Sequence, residues 1–197
     1  GRESVAVSSR VRLARNLAGL AFPGWAGAAE RERVWNDLRP RLLGLPSLEG
    51  AMAAGNDELT ERDRLILFER HLISREHAGK GRGSGIVLRP DERLAIMVNE
   101  EDHLRMQSLC PGLGLWDAWR SVDRLDSELD AQVSYAFSPR WGYLTACPTN
   151  VGTGIRASVM LHLPGLALMD DMARLVKGVS KIGLAVRGVW GEGTEAQ

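Results

Sequence analysis

Two stretches of this chain alternate between apolar and polar side chains with a period of two. In Ser4–Leu13, Val5, Val7 and Val11 alternate with Ser8, Arg10 and Arg12. In Ile155–Leu163, Ile155, Ala157, Val159 and Leu161 alternate with Arg156, Ser158, Met160 and His162. That period is a strand's, and residues two apart share a face. Arg10 and Arg12 therefore project together. Two like charges on one strand face repel unless something anionic lies between them.

The remaining pattern predicts an α+β fold with a largely antiparallel β-sheet flanked by helices. Short strands are expected at Gly85–Arg89 and Leu94–Asn99, joined by a turn at Pro90-Asp91, and at Val133–Phe137 and Gly142–Ala146 around Ser138-Pro139. A last strand is expected over Gly183–Trp190. Helices are expected over Ala29–Leu43, interrupted by Pro40, and from Thr60 through Leu72, with Asp63 completing a capping box. Further helices are expected over Leu115–Leu129 and Leu166–Lys181. Leu17–Ala28, Leu45–Asp57 and Glu76–Gly85 read as loops, the last a mobile one. With 197 residues the chain is long enough for one sizeable core, and a single domain over 1–197 is expected.

Composition narrows the function. The formal net charge is zero, which gives no bulk attraction to nucleic acid or to an acidic membrane surface. The basic residues comprise 22 Arg and 3 Lys. That skew is a property of base composition as readily as of function, but Arg does supply the forked donors that suit phosphate. Two cysteines make no disulfide framework, so a reducing cytoplasm is expected. The opening residues lack the apolar core of a signal peptide, and no apolar run has membrane-spanning length. His71, His77, His103 and His162 lack metal-ligand spacing, so no protein-held metal is expected. The six Trp have no basic neighbours arranged for stacking nucleic acid.

Three clusters carry chemistry. The first is a set of arginines on or just after strands and turns: Arg10, Arg12, Arg105, Arg156 and Arg187. Singly, each fits a solvated surface. Gathered by a sheet, they form a cradle for a polyphosphate. The second is the pair Glu100-Glu101, followed by Asp102 and His103. It is either a solvated acidic turn or a grip on a cation. A guanidinium is not nucleophilic until it loses a proton, and a positioned carboxylate can accept that proton. Glu192, between Gly191 and Gly193, is a candidate second carboxylate. The third is Cys147, ahead of the glycine-bearing run 148–154. It is either a buried structural thiol or a thiolate that orients a guanidinium electrostatically. The glycine run is not a Walker A loop.

Four ordered motifs now carry a resemblance. They are SSRVR from Ser8 to Arg12, NEEDHLR from Asn99 to Arg105, CPTNVGTGIRAS from Cys147 to Ser158, and RGVWGEGTE from Arg187 to Glu195. Over nearly its whole length the chain resembles the ATP:guanido phosphotransferases, the phosphagen kinase superfamily. Within it, the chain is most similar to the bacterial protein arginine kinases. The resemblance implies the superfamily's catalytic domain, of glutamine-synthetase-like fold, with ATP and Mg²⁺ as cofactors. It implies nucleotide contacts by Ser8, Ser9, Arg10, Val11, Arg12, His71, Arg105, Arg156, Ala157, Ser158, Val159, Met160, Arg187, Gly188, Val189, Trp190 and Gly191. Glu101 and Glu192 would grip the guanidinium, with Glu100 near the Mg²⁺ waters and Cys147 beside the substrate nitrogen. Met160 stands where kinases of small guanidino substrates usually carry a nucleotide-contacting histidine.

The implied partners are proteins that present arginine, an activator protein, and the quality-control machinery of a stress response. The chain opens almost directly on the first arginine strand and ends at Gln197, which implies a domain shortened at its C-terminal side. Two other functions share these residues: a kinase for a free guanidino metabolite, and a non-catalytic module that binds arginine or phosphoarginine.

Overall fold

Ser9, Val11, Leu13 and Arg15 are buried on one side of the first strand, while Ser8, Arg10 and Arg12 project from the other. This strand organises the computed structural model, which describes residues 5–169 and 171–188. In chain order the elements are β1 (Ala6–Arg15), α1 (Ala28–Leu43), β2 (Met52–Gly55), α2 (Glu61–Glu69), α3 (Arg75–Ala78) and β3 (Gly85–Leu88). There follow β4 (Leu94–Val98), β5 (Leu104–Pro111), α4 (Leu115–Asp130) and the two-residue strands β6 (Phe137–Ser138) and β7 (Gly142–Tyr143). The described chain closes with β8 (Ile155–Leu161), α5 (Pro164–Leu168) and α6 (Met172–Lys181). Among the described residues no helix is long and apolar enough to cross a membrane.

Six strands form one sheet in the order β2-β3-β4-β5-β1-β8, and every neighbouring pair is antiparallel. The expected α+β architecture is borne out. One face buries Val11, Leu13, Ile96, Val98, Leu104 and Met106 against α1 and α4, which contribute Leu38, Leu42, Val122, Leu125 and Leu129. The other face is divided. Over β3 and β4, a smaller core of Ile86, Leu88, Ala95 and Met97 packs under Leu72, Ile73, Leu67 and Phe68. Over β5, β1 and β8, the face carries arginines instead.

Several local expectations need correction. β5, third from one edge and paired on both sides, was not expected, although Leu104, Met106 and Ser108 alternate with Arg105, Gln107 and Leu109. The acidic cluster just before it drew the segment into a turn. The expected loop Leu45–Asp57 contains β2, because Met52–Gly55 pairs with Leu88–Gly85. The expected loop Glu76–Gly85 starts inside α3, and its His77 is fully buried.

Pro40 does not interrupt α1. It lies in the last turn, and Gly44 donates back to its carbonyl at 3.1 Å. The helix capped by Thr60 ends at Glu69 rather than Leu72, since His71 takes a positive φ of 59° and Leu72 N donates to Leu67 O. The hairpin pairing after α4 is shorter than expected, and the expected helix Leu166–Lys181 is two helices. Residues 183–188 form no strand, and the rest of that expected strand lies outside the described residues.

Two buried polar networks fix the loops around the arginine face. Arg15, 3% exposed, donates from Nε and Nη2 to Asp126 of α4 at 3.2 and 2.7 Å. Its Nη1 donates to Thr153 O at 2.9 Å, and its guanidinium lies 3.6 Å from the Tyr143 ring centre. One side chain thus joins β1, α4, β7 and the run after Cys147. Gly154 allows this approach: its φ is +66°, and a Cβ there would sit 2.5 Å from Ala14 O.

In the second network, Asn16 Nδ2 and Ala146 N donate to Asp102 Oδ1 at 2.6 and 2.7 Å. Asn16 Oδ1 accepts from His103 N at 2.9 Å, and His103 Nδ1 accepts from Leu17 N at 3.2 Å. The turn bearing Glu100 and Glu101 is thereby tied to the residue just before Cys147.

Removing the Asp126 charge leaves a buried cation without its partner. Asp126→Asn should lower stability by roughly 3–5 kcal/mol in urea denaturation. A loss below about 1 kcal/mol would show that the pair behaves as a surface salt bridge. The second network is sensitive to acid. His103 must be neutral to accept from Leu17, and burial pushes its pKa from 6.5 down to about 4. Because the folded-state pKa is depressed, its contribution is present above 6.5 and is lost as pH falls toward about 4. Denaturation midpoints across that window should fall more steeply for the unmodified chain than for His103→Asn, whose amide oxygen can accept without titrating. Parallel curves would remove His103 from the acid response.

Candidate functional site

The strand register gathers the arginines. In antiparallel pairing, directly opposed residues share a face. Arg12 is opposite Arg156 of β8 on one side and Gln107 of β5 on the other. Arg10 is opposite Ser158 and Leu109, Ser8 is opposite Met160, and Ala14 is opposite Arg105. Arg10, Arg12, Arg105 and Arg156 therefore occupy one patch of three adjacent strands.

Their electrostatics confirm the crowding. Burial, followed by repulsion from Arg10, Arg105 and Arg156, pushes the Arg12 guanidinium down to about 9, which leaves it cationic at neutral pH. Arg10 is lowered by burial, Arg105 and Arg156. Arg156 is lowered by burial, then by Arg187 and Arg105, while Cys147 opposes the shift. Arg187, outside any strand among the described residues, is thus still near enough to act on Arg156. Arg12 Nε is buried with no hydrogen-bond partner in the described structure. A buried donor without an acceptor is costly, and an anion over this patch would satisfy it while reducing the repulsion.

The carboxylates sit at the edge of the patch. Glu100, 2% exposed, takes Arg105 across both its oxygens, each N–O distance being 2.8 Å. It also accepts from Ser74 Oγ, which in turn caps α3 by accepting from His77 N. Glu101 is exposed at the tip of the turn, 3.5 Å from Arg105 Nη2. Its pKa is raised, first by burial of part of its surroundings and then by Asp102 and Glu100. A carboxylate with a raised pKa is better suited to receive a proton than an ordinary one. Cys147 is half-buried, and its Sγ lies 3.0 Å from Thr149 Oγ1. Among the described residues no cluster of three or more His, Cys, Asp and Glu side chains is placed to hold a metal.

At the other end of the patch, Ser8, Arg10, His71, Leu109, Ser158 and Met160 line a shallow cleft. The positive φ at His71 turns the chain over this cleft, and Gln107 Nε2 holds the turn by donating to His71 O and Leu72 O, both at 3.0 Å. Several expected nucleotide contacts face elsewhere. Ser9 and Val11 project into the helix-covered side, where Ser9 Oγ donates to Gly112 O and accepts from Gly114 N. Ala157 and Val159, opposite Val11 and Ser9, share that side. These four can offer an anion only their backbone. Gly188 is exposed, outside any regular element, and Val189, Trp190, Gly191 and Glu192 lie outside the described residues.

Three positioning residues went unnoticed in the sequence: Gln107, Asp102 and Asn16. Gln107 was legible from the alternation along β5. Asp102 and Asn16 were not, because their partners lie 44 to 128 residues away in the chain.

Similarity to known proteins agrees with this geometry. The profile of the ATP:guanido phosphotransferase C-terminal catalytic domain matches residues 48–197. A protein-arginine kinase of Halothermothrix orenii is 47% identical over 194 residues, 97% of this chain and 54% of that protein. One of Pelotomaculum thermopropionicum is 48% identical over 200 residues, covering 100% of this chain and 56% of that protein. The chain thus spans about half the length of these relatives.

Among solved structures, the duplicated taurocyamine kinase of Schistosoma mansoni with transition-state-analogue components superimposes with a TM-score of 0.86 at 28% identity. That match covers 98% of this chain and 28% of the other. A lombricine kinase gives 0.78 at 26% identity, covering 97% and 56%. A sheet that presents clustered guanidiniums beside a carboxylate turn, together with this profile and these relatives, places the chain in the ATP:guanido phosphotransferase family.

Proposed function

We propose that this chain is the catalytic domain of a protein arginine kinase, which transfers the γ-phosphoryl group of ATP to the guanidinium of arginine side chains in proteins. The observation that carries this reading is the patch of four guanidiniums on β5, β1 and β8, edged by Glu101 and Cys147. The acceptor class rests on the relatives at 47% and 48% identity, both named protein-arginine kinase. The proposed partners are arginine-bearing proteins, an activator protein and protein quality-control machinery, and the proposed compartment is the cytoplasm.

Arg10, Arg12, Arg105 and Arg156 would hold the triphosphate, joined by Arg187, with Ser8, His71, Ser158 and Met160 lining the cleft for the rest of the nucleotide. The buried, unpartnered Arg12 Nε fits such an anion. Magnesium would travel with the phosphates, with Glu100, whose Oε2 accepts no hydrogen bond, near its waters. Phosphoryl transfer asks mainly for alignment and neutralisation of charge, which clustered arginines supply. The acceptor nitrogen forms a bond to Pγ, the bond from Pγ to the bridging oxygen breaks with its electron pair leaving on ADP, and the guanidinium proton passes to Glu101. Glu192 is proposed as the second carboxylate on the guanidinium, and Cys147 as its electrostatic neighbour.

Incubation with Mg-ATP and an arginine-bearing protein, on this chain and on a longer one with the relatives' remaining length, should yield acid-labile phosphoarginine by mass spectrometry. In whichever chain is active, Glu101→Gln should reduce the yield roughly 10²–10⁴-fold. Arg12→Ala should instead weaken nucleotide binding by about 1.5–3 kcal/mol in calorimetry. Phosphorylation of free arginine in preference to protein would redirect the proposal to a small guanidino substrate. Nucleotide binding with no phosphoryl transfer in either chain would leave a binding module.

Cys147 should be alkylated before Cys110, whose thiol is pushed up by burial and by Asp117. Mg-ADP with a guanidinium ligand should slow that reaction. Equal rates without protection would make Cys147 a structural residue.

A further inference from the structure

The helix-covered side of the sheet carries a second concentration of guanidiniums, apart from the cradle. Arg89, just past the end of β3, and Arg120 and Arg124 on α4 line one cavity of about 260 Å³ with Ser47, Leu94 and Glu128. Leu94 belongs to the core that packs α4 on the sheet, so this cavity opens on the opposite side from Arg10, Arg12 and Arg156. Arg120 and Arg124 stand one helical turn apart and are both exposed. Like charges at that spacing destabilise a helix. Neither forms a salt bridge to a carboxylate among the described residues, in contrast to Arg41 with Asp37 on α1.

The donors at this cavity are largely free. Arg120 rests over the Trp116 ring at 6.0 Å, which engages the guanidinium face rather than its N–H edge. Arg89 gives Nε and Nη2 to Asp91, which leaves Nη1. The carboxylate in the lining, Glu128, is already engaged: its oxygens accept from Ser47 N and Ser47 Oγ at 2.9 and 2.8 Å. The cavity thus presents three guanidiniums, of which Arg89 is partly engaged by Asp91, against Glu128, each of whose oxygens accepts one hydrogen bond from Ser47. Forked donors converging from a helix and a hairpin suit a tetrahedral oxyanion.

We infer that this cavity is a second anion site, which binds a phosphate-class oxyanion independently of the arginine cradle. The phosphate is carried either by a free small molecule or by a phosphorylated protein side chain; both present the same oxygens to Arg89, Arg120 and Arg124. The site does not depend on the kinase reading, because it shares no residue with the cradle.

The test is calorimetric titration of inorganic phosphate into the unmodified chain, Arg120→Gln/Arg124→Gln, and Arg12→Gln/Arg156→Gln, each first shown to be folded by circular dichroism. The unmodified chain should bind two equivalents. The cradle variant should retain the back-face equivalent, and the α4 variant should lose it, with affinity there weakened roughly 10- to 150-fold. Should the cradle variant fail to fold, titration of the unmodified chain with its cradle saturated by Mg-ADP gives the same readout. A short phosphoserine peptide titrated in parallel identifies the source: binding tighter than phosphate points to a protein-borne group, and equal or weaker binding to a free anion. Loss of all phosphate binding in the cradle variant, or full binding in Arg120→Gln/Arg124→Gln, would overturn the inference. The first outcome leaves the kinase reading standing, and failure of the cradle variant to lose an equivalent would weaken that reading alone.

Discussion

The register of β1 between β5 and β8 is the constraint on which the rest of this structure depends. Its side chains alternate between a packed core and a cationic surface, so a slip of one residue against either neighbour would bring Arg10 and Arg12 under α4 and expose Val11 and Leu13. Burial of Val11 and Leu13 against the helices holds the register on one side, and the Arg15–Asp126 pair fixes the strand's end. Apolar packing on one face thereby enforces an arrangement of charge on the other that would not assemble by itself. Repulsion among the guanidiniums is sustained by the sheet, and it adds to burial in lowering the pKa of Arg10, Arg12 and Arg156.

The two halves of the arginine-bearing face divide the work. Over β3 and β4 a small apolar core anchors the segment from α2 through α3, which delivers His71 and Ser74 to the edge of the cradle. Over β5, β1 and β8 the face carries Arg10, Arg12, Arg105 and Arg156 in place of an apolar core. The carboxylate and thiol side is built differently, from tight turns locked by buried side chains. Asp102 and Asn16 link the Glu101 turn to the residue preceding Cys147, and Arg15 links the loop beyond it to α4. None of these side chains belongs to the arginine patch or is proposed to touch the substrate. They fix the Glu101 turn relative to Cys147.

The sheet class, β1, β8, the β3–β4 hairpin and α4 were legible because alternation and helical periodicity are local signals. The cradle was legible as residue types but not as a place, since only the pairing of β1 with β5 and β8 shows that Arg12 faces Arg156. β5 was missed because its acidic approach reads as a turn, although its own alternation was available. The separation of Ser9, Val11, Ala157 and Val159 from the cradle follows from the same alternation that placed Arg10 and Arg12 on it. A contiguous motif such as Ser8–Arg12 divides across two faces as soon as it becomes a strand. The networks of Arg15, Asn16 and Asp102 had no local signal, since each joins segments far apart in sequence.

Glu100 gives the cradle a direction. Its buried carboxylate neutralises Arg105 on β5 in advance, whereas Arg12 on β1 and Arg156 on β8 have no such counter-charge at comparable range. The positive potential is therefore skewed across the strands, weakest beside the carboxylate turn and strongest toward the outer strand. A polyphosphate arriving from solvent would meet a gradient rather than a uniform plate. Its most highly charged portion would be drawn toward β1 and β8 before any hydrogen bond formed, so the field itself can select one orientation of a chain of phosphates over its reverse.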